Sequence, residues 1–424
     1  MALTSHDDAA LIILANFASP TALDLREHAP ARKWAEQAPR EIWLTRPGDV
    51  LLTSVPLSEP FTRYACAALG IRRDSVHTIT LRDDLGVSTA ETVHHHDGLV
   101  DRLREYGARR PGTRLLPIVL DAPTMALAAD LGTPVCTLGR SGPAIGPEAL
   151  AGVAHHNTKA GFRATAEELG MRLPHGRVCD GAELPSTVRD VLARYARVVV
   201  KPDRAAGGHG LRFVGRDEPL PGPEPAGSRW IVEEYVAHTA SVSAQFEATP
   251  AGPRFRFDGE MRTVDGAFTG YHSPAPGTDT DRVRGELHGW GRELGHRLAR
   301  GGYFGPYDID AVVAEDGLLY ATECNVRRTA TTTPHAMVGR LTASAGHPAP
   351  AWIMATAAPG PSLTFAQALD RLRAGGLDYD AGRGEGVVLY ADRPAEGTGW
   401  RYVAVAPDRP HLAEVESRLS AALG

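Results

Sequence analysis

Lysine is almost absent from this 424-residue chain: only three of its 45 basic residues are lysine, so the other 42 are arginine. A chain that uses arginine so heavily has little reason to keep a lysine unless a site needs a compact, flexible ammonium group. The chain also lacks a run of about 20 apolar residues, the length that a membrane-spanning helix needs. It contains neither a GxxxxGK[ST] phosphate-binding motif nor an HExxH metal motif. Two of the lysines, Lys159 and Lys201, are therefore candidates for an anion site of another kind.

Cysteine is scarce as well, and the four that occur are far apart and form no CxxC pair. They predict neither a disulfide framework nor a zinc cluster, and they favour a reducing cytoplasm. The formal net charge of −6 argues against a nucleic-acid carrier, which needs a basic face. The first residues carry no basic leader and only a short apolar run, so they predict a strand and not a signal peptide. We expect a cytoplasmic protein with small-molecule partners and with no membrane or nucleic-acid partner.

The order of apolar runs and helical patterns divides the chain into three segments. Residues 1–150 alternate short apolar strands with helices that end at glycine, which predicts a parallel, Rossmann-like α/β sheet. Residues 151–345 contain strands with period-two alternation and one long helix, and we expect two subdomains, about 151–236 and 237–345. Residues 346–424 predict a small α+β domain without chemistry of its own. The expected fold class is therefore α/β followed by α+β.

A hairpin late in the second segment carries a set of oxygen ligands. Its strands, 307–314 and 318–325, are joined at an Asp-Gly pair, which is a strong turn signal. Alternation places Glu323 and Asn325 on one face, and antiparallel pairing brings Asp310 opposite them. Two carboxylates and an amide oxygen suit Mg²⁺, with Mn²⁺ as an alternative. A solvated hairpin face would also explain acidic alternation, but these acids lie within apolar, strand-forming sequence, which favours the metal site.

A glycine-rich loop, "DRAAGGHG", follows the strand that ends near Lys201. Its residues Gly207, Gly208, His209 and Gly210 form a candidate phosphate-binding turn, because glycine permits positive φ and close approach of backbone amides. An ammonium group at the end of an apolar strand is costly to bury without an anionic partner. A phosphate oxygen would be such a partner. An ordinary flexible hairpin is the other interpretation of the loop.

Two further elements are candidates for nucleotide contact. Lys159 follows Thr158, which predicts a helix N-cap, although a lone helical lysine is usually a solvated surface residue. The strand "RWIVEEYV" predicts a hinge that holds a purine through backbone groups of Glu234 and Val236. The Glu233 side chain could take the purine amino group or orient Lys201, and an exposed edge strand is the simpler alternative. The candidate hinge residues are Glu233, Glu234, Tyr235 and Val236.

Arginines follow the metal hairpin directly, at Arg327 and Arg328. A planar guanidinium beside the phosphates could grip a substrate carboxylate or stabilise a transferring phosphoryl group. Arg262 is a third candidate, although a single arginine on a strand is usually solvated. Behind the pair, Thr333 and Pro334 predict the cap and first residue of a helix whose N-terminus could face an anion.

Residues 151–345 resemble an ATP-grasp domain. They carry, in this order along the chain, the two lysines with the glycine loop, the "EEYV" hinge and the "Asp…Glu-Cys-Asn" hairpin. The whole chain is similar to the pheganomycin-type peptide ligases, which have a pre-ATP-grasp domain first, an "NVRRT" segment after the metal ligands and a small C-terminal domain. The resemblance implies that the lysines contact ATP and that the hairpin binds Mg²⁺. It further implies a carboxylate–amine ligase that forms an amide or peptide bond through an acyl phosphate, on amino acids or peptides in specialised metabolism. Dimers are common among such enzymes.

The sequence departs from this pattern at three points. No acidic residue for the ribose follows the hinge in "AHTASVS". Asp308 stands where many amino-acid ligases have an arginine, so either another arginine takes over that role or Asp308 is an extra ligand. "RRTATTT" replaces a glycine-rich version, which changes the acceptor pocket. A different ATP-grasp reaction, such as carboxylation or phosphorylation, and a non-catalytic nucleotide-binding module remain open as alternatives.

Overall fold

The first segment forms a parallel sheet, as its sequence predicts. The computed structural model describes residues 9–25, 28–82, 86–205, 207–275, 280–343, 350–360, 362–394 and 398–423. Four parallel strands lie in the order β3-β2-β1-β4 and comprise β1 Leu11–Leu14, β2 Val50–Thr53, β3 His77–Thr80 and β4 Arg114–Pro117.

Helices connect and flank these strands. Their ends follow local capping, since Ser58 accepts a hydrogen bond from the Phe61 amide and Asp121 accepts one from the Thr124 amide. The α-helices of the segment are α1 His28–Ala35, α2 Glu59–Ala68, α3 Thr89–Thr92, α4 Leu99–Ala108, α5 Ala122–Leu131 and α6 Ala149–His156. Two 3₁₀ helices, Ala38–Leu44 and Arg73–Ser75, complete the layer.

The next part of the chain builds a small antiparallel sheet with the order β5-β8-β6-β7. Its strands are β5 Gly176–Asp180, β6 Arg197–Pro202, β7 Arg212–Gly215 and β8 Arg229–Glu234. Helix α7, Lys159–Glu168, precedes it, and α8, Leu184–Leu192, preceded by a 3₁₀ turn at Gly181–Glu183, covers it. Val198, Val200 and Val232 pack with Leu184 and Val188 of α8 in a separate apolar cluster. The glycine loop lies between β6 and β7.

The rest of the chain builds one large antiparallel sheet with the order β13-β12-β9-β10-β11-β14-β16-β15. Its strands are β9 His238–Glu247, β10 Arg254–Val264, β11 Ala267–Ser273, β12 Pro306–Ala314, β13 Leu319–Asn325, β14 Ala351–Thr356, β15 Gly386–Leu389 and β16 Arg401–Ala406. The helices are α9 Thr280–Arg300, α10 Thr332–Thr342, α11 Phe365–Ala374 and α12 Arg409–Leu423. The expected hairpin of β12 and β13 is present.

The C-terminal strands extend this sheet, because β14 pairs antiparallel with β11 along Gly270–Ser273. The C-terminal segment therefore shares a sheet with the preceding one. The boundary expected near residue 346 falls among residues 344–349, which lie outside the described residues.

The first sheet is apolar on both faces, and this places it between two cores. Leu11 and Ile13 belong to one cluster, which also contains Trp352 and Val403 of the C-terminal strands. Ile12 and Leu14 belong to another, with residues of the large sheet and of α9. Alternating β1 residues thus face opposite cores, which explains why the strand is a continuous apolar run.

No helix in the described part of the chain combines the length and the apolar composition that crossing a membrane requires.

Candidate functional site

A cavity of about 480 Å³ lies where the first segment, the small sheet and the large sheet meet. The structure brings most of the predicted site residues to its walls. Those that line it are Lys159, Lys201, Gly207, Gly208, His209, Glu233, Glu234, Tyr235, Val236, Asp310, Glu323, Asn325, Arg327 and Arg328. They come from chain positions more than 150 residues apart, so the fold and not the local sequence makes them neighbours.

The β12–β13 hairpin has the pairing that its sequence predicts. Asp310 lies opposite Glu323, and Asp308 lies opposite Asn325. The Asn325 backbone amide donates to Asp308 Oδ1 at 2.6 Å, and the Asn325 Nδ2 donates to the same oxygen at 3.1 Å. Gln245 Nε2 donates to Asp308 Oδ2 at 3.1 Å. Asp308, only 2% exposed, therefore holds the amide of Asn325 in a fixed orientation.

The hairpin concentrates negative charge. Burial raises the pKa of Asp308 to about 6. Burial, together with the charges of Asp308 and Glu323, raises the pKa of Asp310 well above its usual value. A bound cation would relieve this repulsion. Among the described residues, no three His, Cys, Asp or Glu side chains group into a metal cluster, so a metal here needs the Asn325 amide oxygen as its third ligand. Two carboxylates and an amide fit a hard divalent cation.

Lys159 connects the hairpin to the glycine loop. It is the first residue of α7, whose N-cap is Thr158, as predicted. Its Nζ lies 3.0 Å from Glu323 Oε1 and donates to the Ala205 carbonyl at 3.1 Å. The helix start, the loop and the β12–β13 hairpin thus meet at one ammonium group.

Lys201 is held by a buried carboxylate. Its Nζ lies 2.6 Å from Glu233 Oε2, and the other oxygen of Glu233 accepts a hydrogen bond from Arg163 at 2.9 Å. Lys201 is 8% exposed and Glu233 is 4% exposed. Arg163 also pairs with Glu167 at 3.2 Å, so Glu233 is not needed to neutralise both cations, and the Lys201 ammonium can attract a phosphate at the cavity wall. Of the two roles considered for Glu233, the geometry supports orienting Lys201.

The glycine loop has the predicted backbone conformation. Gly207, Gly208 and Gly210 have φ values of +61°, +80° and +72°. A Cβ at Gly208 would lie 2.2 Å from the Gly266 carbonyl oxygen, so the loop touches the turn between β10 and β11. Gly210 is not among the residues that line the cavity.

Two backbone amides of the candidate hinge already donate hydrogen bonds to other parts of the protein. The Glu234 amide donates to the His175 carbonyl at 2.8 Å, and the Tyr235 amide donates to the Arg197 carbonyl at 2.9 Å. The predicted purine contact of Glu234 is thereby restricted to its carbonyl. The guanidinium of Arg197 lies over the Tyr235 ring, 4.9 Å from its centroid.

One predicted arginine must be corrected. Arg262 does not line the cavity, whereas its neighbours Met261 and Thr263 do. Its side chain makes two hydrogen bonds to the carboxylate of Glu416 on α12, at 2.8 and 2.7 Å. Strand alternation turns it to the opposite face of β10, so the assignment of Arg262 to the catalytic site is wrong.

The other two arginines differ in their partners. Arg327 donates to the Asn157 side-chain oxygen. The Arg328 amide donates to the Ile118 carbonyl of the first segment at 3.0 Å, and its Nε is buried without a hydrogen-bond partner in the described part of the chain. Arg328 thus reaches the cavity with an uncommitted guanidinium.

The helix after the arginines begins two residues earlier than predicted. Its N-cap is Thr331, so Pro334 is the third helical residue and not the first. Thr333 instead donates to Glu41 Oε2 at 2.8 Å. Thr331 lines the cavity, so the helix start does face it.

Sequence reasoning missed residues that support the site. Arg163 lies four residues after Lys159 on α7, a spacing that places both on one helix face and could have signalled it. Gln245 and His238 line the cavity from β9 without any motif around them.

Comparisons with known proteins agree with this architecture. A model of the pre ATP-grasp domain matches residues 38–133, and a model of the PGM1 C-terminal domain matches residues 367–419. The L-amino acid ligase of Bacillus licheniformis superposes with a TM-score of 0.58 at 13% identity, covering 98% of both chains. An ADP complex of N5-carboxyaminoimidazole ribonucleotide synthetase gives 0.56 at 12% identity, covering 97% of this chain and 95% of that one. The ATP complex of carboxyaminoimidazole ribonucleotide synthase from Aspergillus clavatus gives 0.55 at 12% identity, covering 98% of both. No curated protein sequence matches the chain.

Proposed function

We propose that this chain, whose predicted ATP-grasp fold is confirmed, is an ATP-dependent ligase that joins a carboxylate to an amine. One observation carries the proposal. The hairpin acids, both cavity lysines and the glycine loop line one cavity, and Lys159 Nζ lies within 3.0 Å of Glu323 Oε1. Such a site can hold a triphosphate between positive groups and a hard metal, with room beside it for a second substrate.

The residues of the hairpin are suited to hold the metal. Asp310, Glu323 and Asn325 would bind Mg²⁺, which screens the charge on the phosphates when bound. Asp308 and Gln245 support that set by fixing the Asn325 amide.

The remaining groups bind and orient the nucleotide. Lys159 and Lys201 supply positive charge toward the phosphates, and the amides of the glycine loop add hydrogen-bond donors. Glu233 and Arg163 keep Lys201 in place. The loop, which touches the β10–β11 turn at Gly266, excludes water that would hydrolyse an acyl phosphate.

The proposed reaction has two steps, phosphoryl transfer and then amide formation. A carboxylate oxygen of the acid attacks the γ-phosphorus, and the bond from that phosphorus to the bridging oxygen breaks to release ADP. The amine nitrogen then attacks the acyl carbon, the carbon–oxygen bond to phosphate breaks, and the nitrogen loses a proton to the departing phosphate. The products are an amide, ADP and inorganic phosphate. Amino acids or short peptides are the substrate class that the pheganomycin-type resemblance favours.

A carboxylation reaction is the second candidate, because carboxyaminoimidazole ribonucleotide synthetases share the fold at nearly the same TM-score. A phosphate-release screen of amino acids and peptides in pairs, with mass spectrometry of the products, separates the two. The ligase proposal predicts ADP with an amide product that requires both partners. A stable phosphorylated product, or phosphate release that needs bicarbonate in place of the carboxylic acid and gives an N-carboxylated amine, would contradict it.

A further inference from the structure

The cavity has a second, apolar part that the nucleotide chemistry does not use. We define six of its side chains as the apolar wall: Phe17, Leu23, Trp34, Met261, Phe268 and Ala330. Phe17 and Leu23 are 5% and 4% exposed and belong to the core, while the other four are half-buried and pack against it. The first segment and the β10–β11 hairpin therefore give the cavity an apolar surface that packs against the protein core.

The apolar wall adjoins the metal hairpin through an unbroken chain of contacts. Gln245 donates to Asp308 at 3.1 Å and accepts a hydrogen bond from the Thr329 hydroxyl at 3.1 Å. The Thr329 carbonyl accepts a hydrogen bond from Arg40 at 3.2 Å, and the Arg40 guanidinium lies 4.8 Å from the centroid of the Phe17 ring. An acid substrate whose carboxylate reaches the phosphates from this side therefore has its side chain against the apolar wall.

The wall also meets the glycine loop. The Phe268 amide donates to the Gly207 carbonyl at 3.4 Å. A Cβ at Gly207 would lie 3.1 Å from the Trp34 ring. Closure of the loop over the phosphates would thus enclose whatever lies against Trp34 and Phe268.

Three arginines lie at this junction, and in the described part of the chain Arg328 is the one whose side chain has no bonded partner. Arg40 is 1% exposed and is neutralised by Glu41, whose Oε1 lies 3.2 Å from its Nε. Arg327 is bonded to Asn157. Arg328 makes no side-chain hydrogen bond or ion pair in the described part of the chain, and its Nε is buried. A half-buried guanidinium whose Nε is buried without a hydrogen-bond partner indicates an anionic ligand.

We infer that the acid substrate carries a bulky apolar side chain, with its carboxylate between Arg328 and the γ-phosphate and its side chain against the apolar wall. The inference rests on the proposed function and adds the substrate class. Trp34 and Met261 are the specificity-determining residues, because they come from different segments and both border the open cavity. A short or charged side chain would leave this surface uncovered or would bury a charge against it.

Hydroxylamine makes the test independent of the unknown amine, because it converts an acyl phosphate into a hydroxamate. Phenylalanine, leucine, alanine, glutamate and lysine are compared as acids, with ATP and Mg²⁺. We expect kcat/KM for phenylalanine or leucine to exceed that for alanine by at least about tenfold, since apolar pockets discriminate by 10- to 200-fold. Glutamate or alanine reacting as well as leucine and phenylalanine would overturn the inference and leave the ligase proposal standing.

Substitutions in the apolar wall test whether its side chains cause the preference for apolar acids. Trp34→Ala and Met261→Ala should each lower kcat/KM for phenylalanine by about tenfold more than they lower kcat/KM for alanine. Phe255→Ala is the matched control, because Phe255 is an apolar residue of the same strand as Met261 that is 43% exposed and outside the cavity. Equal losses for phenylalanine and alanine would show that the wall supports the fold and does not select the acid.

A binding measurement separates the two proposals. Calorimetric titration of the same acids, in the presence of Mg²⁺ and a non-hydrolysable ATP analogue, should give the order phenylalanine and leucine above alanine above glutamate. This order without any hydroxamate would support the apolar site and contradict the ligase reaction. If neither this binding order nor a hydroxamate is observed, both the apolar site and the ligase reaction are contradicted. Arg328→Lys should weaken binding of every acid, because a point charge replaces the planar fork, and Arg63→Lys, at a 73% exposed side chain, is its control.

Discussion

The two lysines of the cavity are held in different ways. Their side chains are almost equally exposed, at 11% for Lys159 and 10% for Lys201. The partner of Lys201 is Glu233, a side chain 6% exposed, which it shares with Arg163. The partner of Lys159 is Glu323, which is 29% exposed and is itself a candidate metal ligand. One ion pair is thus fixed within the protein, and the other remains open to the cavity.

This difference predicts distinct roles for the carboxylates of Glu233 and Glu323. A buried carboxylate between two cations stabilises the fold and keeps Lys201 in position, because removing it would leave the buried Lys201 ammonium without an ion-pair partner in the described part of the chain. A carboxylate at the cavity surface contributes little to stability but can exchange an ammonium partner for a metal ion. Substitution of Glu323 should therefore lower mainly activity, and substitution of Glu233 should lower mainly stability.

The largest expected effect is on activity, from Glu323→Gln. The substitution removes one charge from the metal set, so ADP release should fall by about 10²- to 10³-fold, as for loss of one electrostatic group at a reacting centre. The thermal midpoint of unfolding should stay close to that of the wild type. Glu315→Gln, in the exposed turn of the same hairpin, is the control and should keep full turnover. Normal ADP release by Glu323→Gln would remove Glu323 from the site.

The next effect is on stability, from Glu233→Gln. Loss of this carboxylate leaves Lys201 as a buried cation without an ion-pair partner and Arg163 with Glu167 alone, which should lower the free energy of unfolding by about 3 kcal/mol. Chemical denaturation measures it. Glu167→Gln, which removes a partner of Arg163 whose side chain is 60% exposed, should cost no more than about 1 kcal/mol. Equal costs for the two variants would show that burial does not distinguish the two partners.

The smallest effect is expected from Arg163→Gln, which leaves the Lys201–Glu233 pair intact. We expect a loss of about 1.5 kcal/mol of stability, the scale of one hydrogen bond to a charged group. Because Arg163 acts through Glu233 and Lys201, the KM for ATP should rise while kcat changes little. Arg163→Lys should restore much of the KM. A fall in kcat at unchanged KM would instead indicate that Arg163 contacts the reacting groups.

Parts of this site could be predicted because their chemistry is local. The hairpin, the glycine loop and Lys201 each lie within a few residues of a turn or strand end that fixes their geometry. The error at Arg262 has a structural cause: alternation shows which residues share a face of β10, but not which face meets the cavity. Its pairing with β11 also shifts register at that residue. The helix cap was misplaced by two residues because several consecutive threonines can each serve as a cap.

Long-range features beyond those that the resemblance implies could not be predicted. The pairing of β14 with β11 joins strands about 80 positions apart, and no composition signal marks it. The contact of Arg40 with Thr329 spans 289 positions. The contribution of the first segment to the cavity therefore becomes visible only in the folded chain.

Calorimetric titration of ATP measures whether a metal and two ammonium groups act on one triphosphate. ATP is titrated with and without Mg²⁺ into wild-type protein, Glu323→Gln and Lys201→Met. We predict that Mg²⁺ tightens ATP binding in the wild type, that Glu323→Gln loses this gain, and that Lys201→Met binds ATP more weakly but keeps the gain. The same Mg²⁺ gain in Glu323→Gln as in the wild type, or ATP binding by Lys201→Met that matches the wild type, would contradict the account.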